Sequence, residues 1–204
     1  MAQKKKQIKK GKKGFTIIEV VLVLAIAGLI FLMVFIALPA LQRGQRNTQR
    51  ADDLGRILTA INAFQANNNG NLPFEPRNTG GVIVAATRFS DDRFVRKYID
   101  DRCPERLAWN TSDGACGDQF TDPDGNAYRF NGVPGIAAVP NDDGSFSITG
   151  FDAMTFREAD HTIFVALNAN CGAGEATVRT GTGPRQVALF MVLEGNAVTC
   201  NDNQ

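Results

Sequence analysis

One carboxylate stands near the head of a long apolar run in this chain, with a crowd of lysines just before it. Residues 1–14 hold seven Lys and no acid. The sequence then reads Gly14-Phe15-Thr16-Ile17-Ile18-Glu19-Val20, and residues 20–38 carry no charge at all. A charge at the centre of a bilayer helix costs roughly 2.5–3.5 kcal/mol on insertion scales, so carboxylates in such helices are rare and have partners. Glu19 is therefore the residue that most needs a chemical explanation, and an opposite charge is the simplest partner for it.

Three other sets of residues could do chemistry. Asp122-Pro123-Asp124-Gly125-Asn126 brings oxygen ligands together around a glycine, the kind of set that Ca²⁺ takes. The same five residues also suit a β-turn, with Pro and Gly supplying the backbone angles; the turn is the plainer reading and Asp122 and Asp124 as calcium ligands the alternative. Cys103, Cys116, Cys171 and Cys200 are an even set, which suits disulfides in an oxidising compartment. Four cysteines allow three pairings, and the sequence does not choose among them. We adopt the two sequential loops, Cys103–Cys116 and Cys171–Cys200. Zinc is the competitor, but there is no CxxC, and His161, the sole histidine, has no evident co-ligand. Asp160-His161 invites an acid–base reading, but neighbours in a strand point to opposite faces. No Gly-x-Ser-x-Gly elbow or phosphate-binding glycine loop occurs, and no convergent catalytic site can be named, so the expectation is a protein that is not an enzyme. Trp109 and Tyr98 read as core residues.

A basic segment before an apolar run is commonly a secretory signal or a single-pass anchor. The run is too long for the first, and Ala37-Leu38-Pro39-Ala40 is a poor cleavage site. Its length suits an anchor, with the lysines cytoplasmic and the rest exported. A plain anchor explains neither Glu19 nor a glycine at the junction. Gly14-Phe15-Thr16-Ile17-Ile18-Glu19 resembles the class III signal of type IV prepilins and pseudopilins, a Gly-Phe-Thr-Leu-x-Glu pattern heading an apolar helix. The resemblance implies cleavage between Gly14 and Phe15 by a prepilin peptidase. It also implies N-methylation of Phe15, and assembly into a filament through the apolar helix with Glu19 as the assembly carboxylate. An amine and a carboxylate, each costly alone in lipid, become tolerable as a pair, and registry is the best-attested use of a buried pair.

The resemblance further implies a structural subunit of a type IV pilus-like filament, serving adhesion, twitching or DNA uptake. Its partners would be copies of itself or related subunits, the prepilin peptidase and an inner-membrane assembly platform. It would be a single-pass membrane precursor with a cytoplasmic N-terminus, maturing into an extracellular or periplasmic filament. The rival within the family is a pseudopilin of a type II secretion system, which Asp122-Pro123-Asp124-Gly125-Asn126-Ala127-Tyr128 resembles. The Cys171–Cys200 loop instead resembles the C-terminal disulfide region of type IV pilins. The rival from another class is an anchored binding domain that never polymerises.

The charge balance sharpens this reading. Residues 15–204 carry 15 basic and 21 acidic side chains, a net −6. That argues against a general electrostatic grip on nucleic acid. Arg43, Arg46 and Arg50 form a local basic patch just past the apolar run, which we assign to lipid headgroups in preference to a local contact with DNA.

The elements that would hold these residues follow from periodicity. We expect a leader over 1–14, a transmembrane helix over 15–39, an amphipathic stem helix over 40–69 and a globular head over 70–204. Pro39, with Gly28 and Gly44, predicts a bend or melted turn near 36–44. Leu54, Leu58, Ile61 and Phe64 mark one helical face, with Arg50, Asp53, Arg56 and Asn62 falling largely elsewhere. Asn67-Asn68-Asn69-Gly70 is a helix stop. Phe94, Val95, Tyr98 and Ile99 predict a short helix within 90–102. Strands are expected at 82–86, 127–131, 146–150, 162–167, 186–194 and 197–200, the last two forming a hairpin. The fold class is α+β: a long N-terminal helix packed on a small antiparallel sheet head, pilin-like.

Overall fold

The computed structural model describes residues 14–76, 84–90, 93–99, 101, 120–133, 141–148, 161–174, 176–181, 183–195 and 197–203. The chain divides into two units, Met1–Arg43 and Gly44–Gln204.

Helix α1 (Ile17–Asn67) is assigned without interruption through Pro39, so there is no melted turn over 36–44. Proline deletes one N–H and crowds one carbonyl, yet the helix continues on both sides of it. In the first unit the helix is apolar all round and its large side chains are exposed, from Ile17 to Leu41. By length and composition it is able to cross a membrane.

In the second unit α1 becomes amphipathic. Leu54, Ile57, Ile61 and Phe64 are buried, and Leu58 packs at the edge of the same core. Asn69 and Gly70 take left-handed backbone angles (φ 57° and 80°), and the Gly70 N–H closes on the Gln65 carbonyl at 2.8 Å. The side-chain amides of Asn67 and Asn68 cover two more helix-end carbonyls, at 2.8 Å each. The asparagine run thus ends the helix by satisfying its orphan acceptors.

The strands in chain order are β1 (Phe74–Pro76), β2 (Val84–Phe89), β3 (Arg129–Gly132), β4 (Phe146–Ser147), β5 (Thr162–Leu167), β6 (Ala169–Cys171), β7 (Thr177–Thr180), β8 (Val187–Val192) and β9 (Val198–Asp202). A short helix α2 (Phe94–Tyr98) lies between β2 and β3. One sheet runs β1-β2-β5-β8-β9 with β3 also against β5, and a second sheet runs β4-β7-β6. The six expected strands are present with shifted ends; β1, β6 and β7 were not foreseen. Each is only three or four residues long, too short to show a period. The expected antiparallel head is in fact mixed, because β3 pairs parallel to β5. The long stretch of chain between them permits the crossover that a parallel pair needs.

β5 and β8 are buried along their whole length, and their alternation divides two cores. Ile163, Val165, Leu167, Val187, Leu189 and Met191 share a core with α1, β1–β3 and α2. Phe164, Ala166, Ala188 and Phe190 share the other with Val178 and Ile148 of the small sheet. The head is therefore three layers: stem helix, main sheet, small sheet. Phe64, Phe74, Phe89, Phe94 and Phe130 meet edge-on or tilted in the first core, with centroid spacings such as 5.6 Å for Phe64–Phe94 and 5.0 Å for Phe89–Phe130.

Candidate functional site

The N-terminal site is built on the first turn of α1. Thr16 precedes the helix and Glu19 is its third residue. The Thr16 N–H and hydroxyl both donate to Glu19 Oε2, at 2.8 Å each, and the Glu19 N–H donates back to Thr16 Oγ1 at 3.3 Å. This is a reciprocal capping box. The carboxylate that we took to need a partner from outside is thus partly satisfied by its own chain. The Thr-x-x-Glu spacing was the signal for it. Both bonds fall on Oε2, which leaves Oε1 open. Phe15 is 88% exposed, and a Cβ added at Gly14 would touch nothing within 4 Å.

A second polar cluster lies within the head unit, on the face of α1 that continues the apolar stripe. Arg50 stands four residues before Leu54, and Arg46 one further turn back. Helical geometry therefore aligns both with the buried face. Arg50 is 0% exposed. Its Nε and Nη2 grip Asp122 Oδ2 and Oδ1 at 2.6 and 2.9 Å, and Nη2 also reaches Asp124 Oδ2 at 2.9 Å. Nη1 has no hydrogen-bond partner and lies 3.6 Å from Glu194 Oε1. Burial disfavours the charged guanidinium, but the hydrogen bonds and charge of Asp122 outweigh it and hold Arg50 ionised above its ordinary range.

Arg46 pairs with Glu194 through Nε–Oε1 and, at 2.7 Å, through Nη2–Oε2. Asn47 brackets the same turn: it accepts from the Glu194 N–H at 2.9 Å and donates to the Glu194 carbonyl at 3.2 Å. Arg46 and Arg50 therefore hold protein carboxylates, and the headgroup assignment is corrected for both; Arg43 is exposed. Asp53, also expected off the apolar face, is buried. It accepts from Tyr128 Oη at 2.8 Å and from Arg56 at 3.0 Å. The reason is common to all these residues: a charge can occupy the packed face when its partner arrives from the strands and loops.

Asp122 and Asp124 are held in the turn that the sequence suggested. Gly125 N–H closes on the Asp122 carbonyl at 2.7 Å, and the Asp124 N–H donates to Asp122 Oδ1 at 3.0 Å. Their carboxylates face Arg50. Among the described residues no three His, Cys, Asp or Glu side chains are arranged to hold a metal ion.

Cys171 and Cys200 form a disulfide with Cα atoms 5.9 Å apart, joining β6 to β9 across the two sheets. Cys103 and Cys116 lie outside the described residues, as do Trp109, Asp160 and the lysine leader to position 13. Tyr98 packs against the first core as expected. His161 sits just before β5, its carbonyl accepting from the Arg129 N–H at 2.9 Å.

Comparison with curated proteins and with solved structures gives no match. Residues 9–35 match the model of the prokaryotic N-terminal methylation motif. That segment takes in the end of the lysine leader, the Gly14-Phe15 junction, the Thr16–Glu19 capping box and most of the apolar run. The chain thus carries the prokaryotic N-terminal methylation motif, the class III signal of type IV pilins and pseudopilins, at the head of an exposed apolar helix.

Proposed function

We propose that this protein is a structural subunit of a type IV pilus-like filament, cut between Gly14 and Phe15, N-methylated at Phe15 and polymerised through the apolar part of α1. The observation that carries the reading is the exposure of large apolar side chains all round that helix, headed by the methylation motif. A surface of that kind is insoluble unless lipid or other helices cover it. The motif implies a prepilin peptidase as processing enzyme, and the class III signal with the apolar helix fits a membrane-anchored precursor. Among the described residues nothing packs where a Cβ at position 14 would stand, which supports a requirement imposed by the peptidase.

After cleavage Phe15 bears a free amine. Glu19 Oε1, unused by Thr16, is the acceptor for the amine of a neighbouring subunit, and pairing removes the cost of holding either charge in lipid. The type of protein that bears this motif is structural, which agrees with the expectation of no catalytic role. The Cys171–Cys200 disulfide favours the pilus branch over the secretion branch by its resemblance to the pilin C-terminal loop.

Mass spectrometry of the exported protein tests the reading: its N-terminus should be an N-methylated Phe15. An intact lysine leader on the exported chain would leave an anchored, non-polymerising domain in its place.

A further inference from the structure

Asp122, Asp124 and Glu194 come from two separate turns, one following Phe120 and the other linking β8 to β9, and they converge on Arg50, with Arg46 beside it paired to Glu194. Asp122 is buried, Glu194 is half-buried and Asp124 is exposed. Carboxylates brought this close repel one another, and burial strips Asp122 of its hydration, so they need a cation among them. A hard cation such as Ca²⁺ is one solution for clustered carboxylate oxygens. Here the donors lie around the flat fork of Arg50, which matches Asp122 in two parallel bonds and has the delocalised charge suited to a buried pair. The residual fit is imperfect, since Arg50 Nη1 remains without a bond, aimed toward Glu194 at 3.6 Å.

We propose that the three acids form a cation site filled by the chain's own Arg50. The turn of Asp122–Asp124 and the turn of Glu194 are docked on α1 by an internal organic cation, and this site has no need of a divalent metal. Two consequences separate this from a general role of Arg50 in packing. The guanidinium already fills the space between the acids and takes up the lone pairs of Asp122 and one oxygen of Asp124, so added calcium finds no vacancy there. Once the guanidinium is removed, the vacated pocket still requires a cation and accepts one from solution.

The test is thermal unfolding of the full chain in detergent micelles. For the unaltered protein, millimolar calcium or a chelator should leave Tm unchanged. Arg50→Ala should lower Tm by roughly 10 °C, as expected when one partner of a buried pair is removed. About 20 mM guanidinium chloride, far below denaturing concentrations, should recover about half of that loss, whereas equal sodium chloride should not. Arg50→Lys, which keeps the charge and loses the fork, should fall between the two proteins. In Arg50→Ala combined with Asp122→Asn the guanidinium effect should vanish. The proposal is overturned if calcium stabilises the unaltered protein. It also fails if neither guanidinium nor calcium stabilises Arg50→Ala, or if that variant yields no folded protein with any cation. The same holds if Arg50→Lys is as damaging as Arg50→Ala, or if guanidinium acts equally without Asp122.

Discussion

Arg50 and Asp122, 72 residues apart in sequence, are joined by two parallel hydrogen bonds of 2.6 and 2.9 Å, and both side chains are shut off from solvent. The pair pins the turn after Phe120 to the first head-packed turn of α1. Removing one partner of such a pair leaves a buried charge uncompensated, which costs about 3–5 kcal/mol. Asp122→Ala should therefore destabilise the head by that order, seen as a lower denaturation midpoint with an unchanged slope. A loss below about 1 kcal/mol would mean that the pair is only a surface contact.

Glu19 and Thr16 make a separate prediction for assembly. Glu19→Leu should still insert and be cut, because the change makes the helix more apolar, but it should give few or no filaments by electron microscopy of sheared material. Thr16→Ala keeps the carboxylate and removes its hydroxyl bonds. It should cost the isolated helix start about 1 kcal/mol and reduce assembly less severely. Normal filaments from Glu19→Leu would remove the carboxylate from the assembly step.

Tyr128 sets the alkaline limit of the head. Burial, reinforced by the hydrogen bond to Asp53 and that carboxylate's charge, holds its hydroxyl well above the ordinary phenol range. The folded state thus keeps a proton that the unfolded chain releases near pH 10. Stability from this source is complete below that pH and falls as pH rises beyond it, since the unfolded state then binds fewer protons. Tyr128→Phe should flatten the fall above about pH 10. It should also cost about 1–3 kcal/mol at neutral pH, because Asp53 loses a buried donor. Denaturation curves at pH 8 and pH 11 would check both effects.

The Cys171–Cys200 bridge closes a loop with a sequence separation of 29 and staples β6 of the small sheet to the edge strand β9. Chain-entropy arguments give about 3–4 kcal/mol for a loop of that length. Cys171→Ala with Cys200→Ala should lower stability by up to that amount. The change should act chiefly on the small sheet, read out by faster amide exchange in β6 and β7 than in β5.

Much of this molecule was legible in one dimension because the signals are local. The helix stop at Asn67-Asn68-Asn69-Gly70, the two fully buried strands at 162–167 and 187–192 and the hairpin after Glu194 follow from periodicity and turn chemistry, which act over a few residues. The same is true of Gly14-Phe15 and Glu19, whose meaning lies in their order ahead of an apolar run. The capping box is equally local, since Thr16 and Glu19 are three apart.

Other features depend on contacts far apart in the chain. Arg50 and Asp53 look like solvent-facing charges until Asp122 and Tyr128 arrive from over 70 residues away. The parallel placement of β3 beside β5 depends on a crossover that no local pattern marks. The sequence by itself determined that a greasy helix with one acid heads a small strand-rich domain, because hydrophobic period and terminal capping are properties of neighbouring residues. Only the tertiary structure decided which charges are buried and on whom they depend, because the free energy of a buried charge is set by its partner and not by its place in the chain.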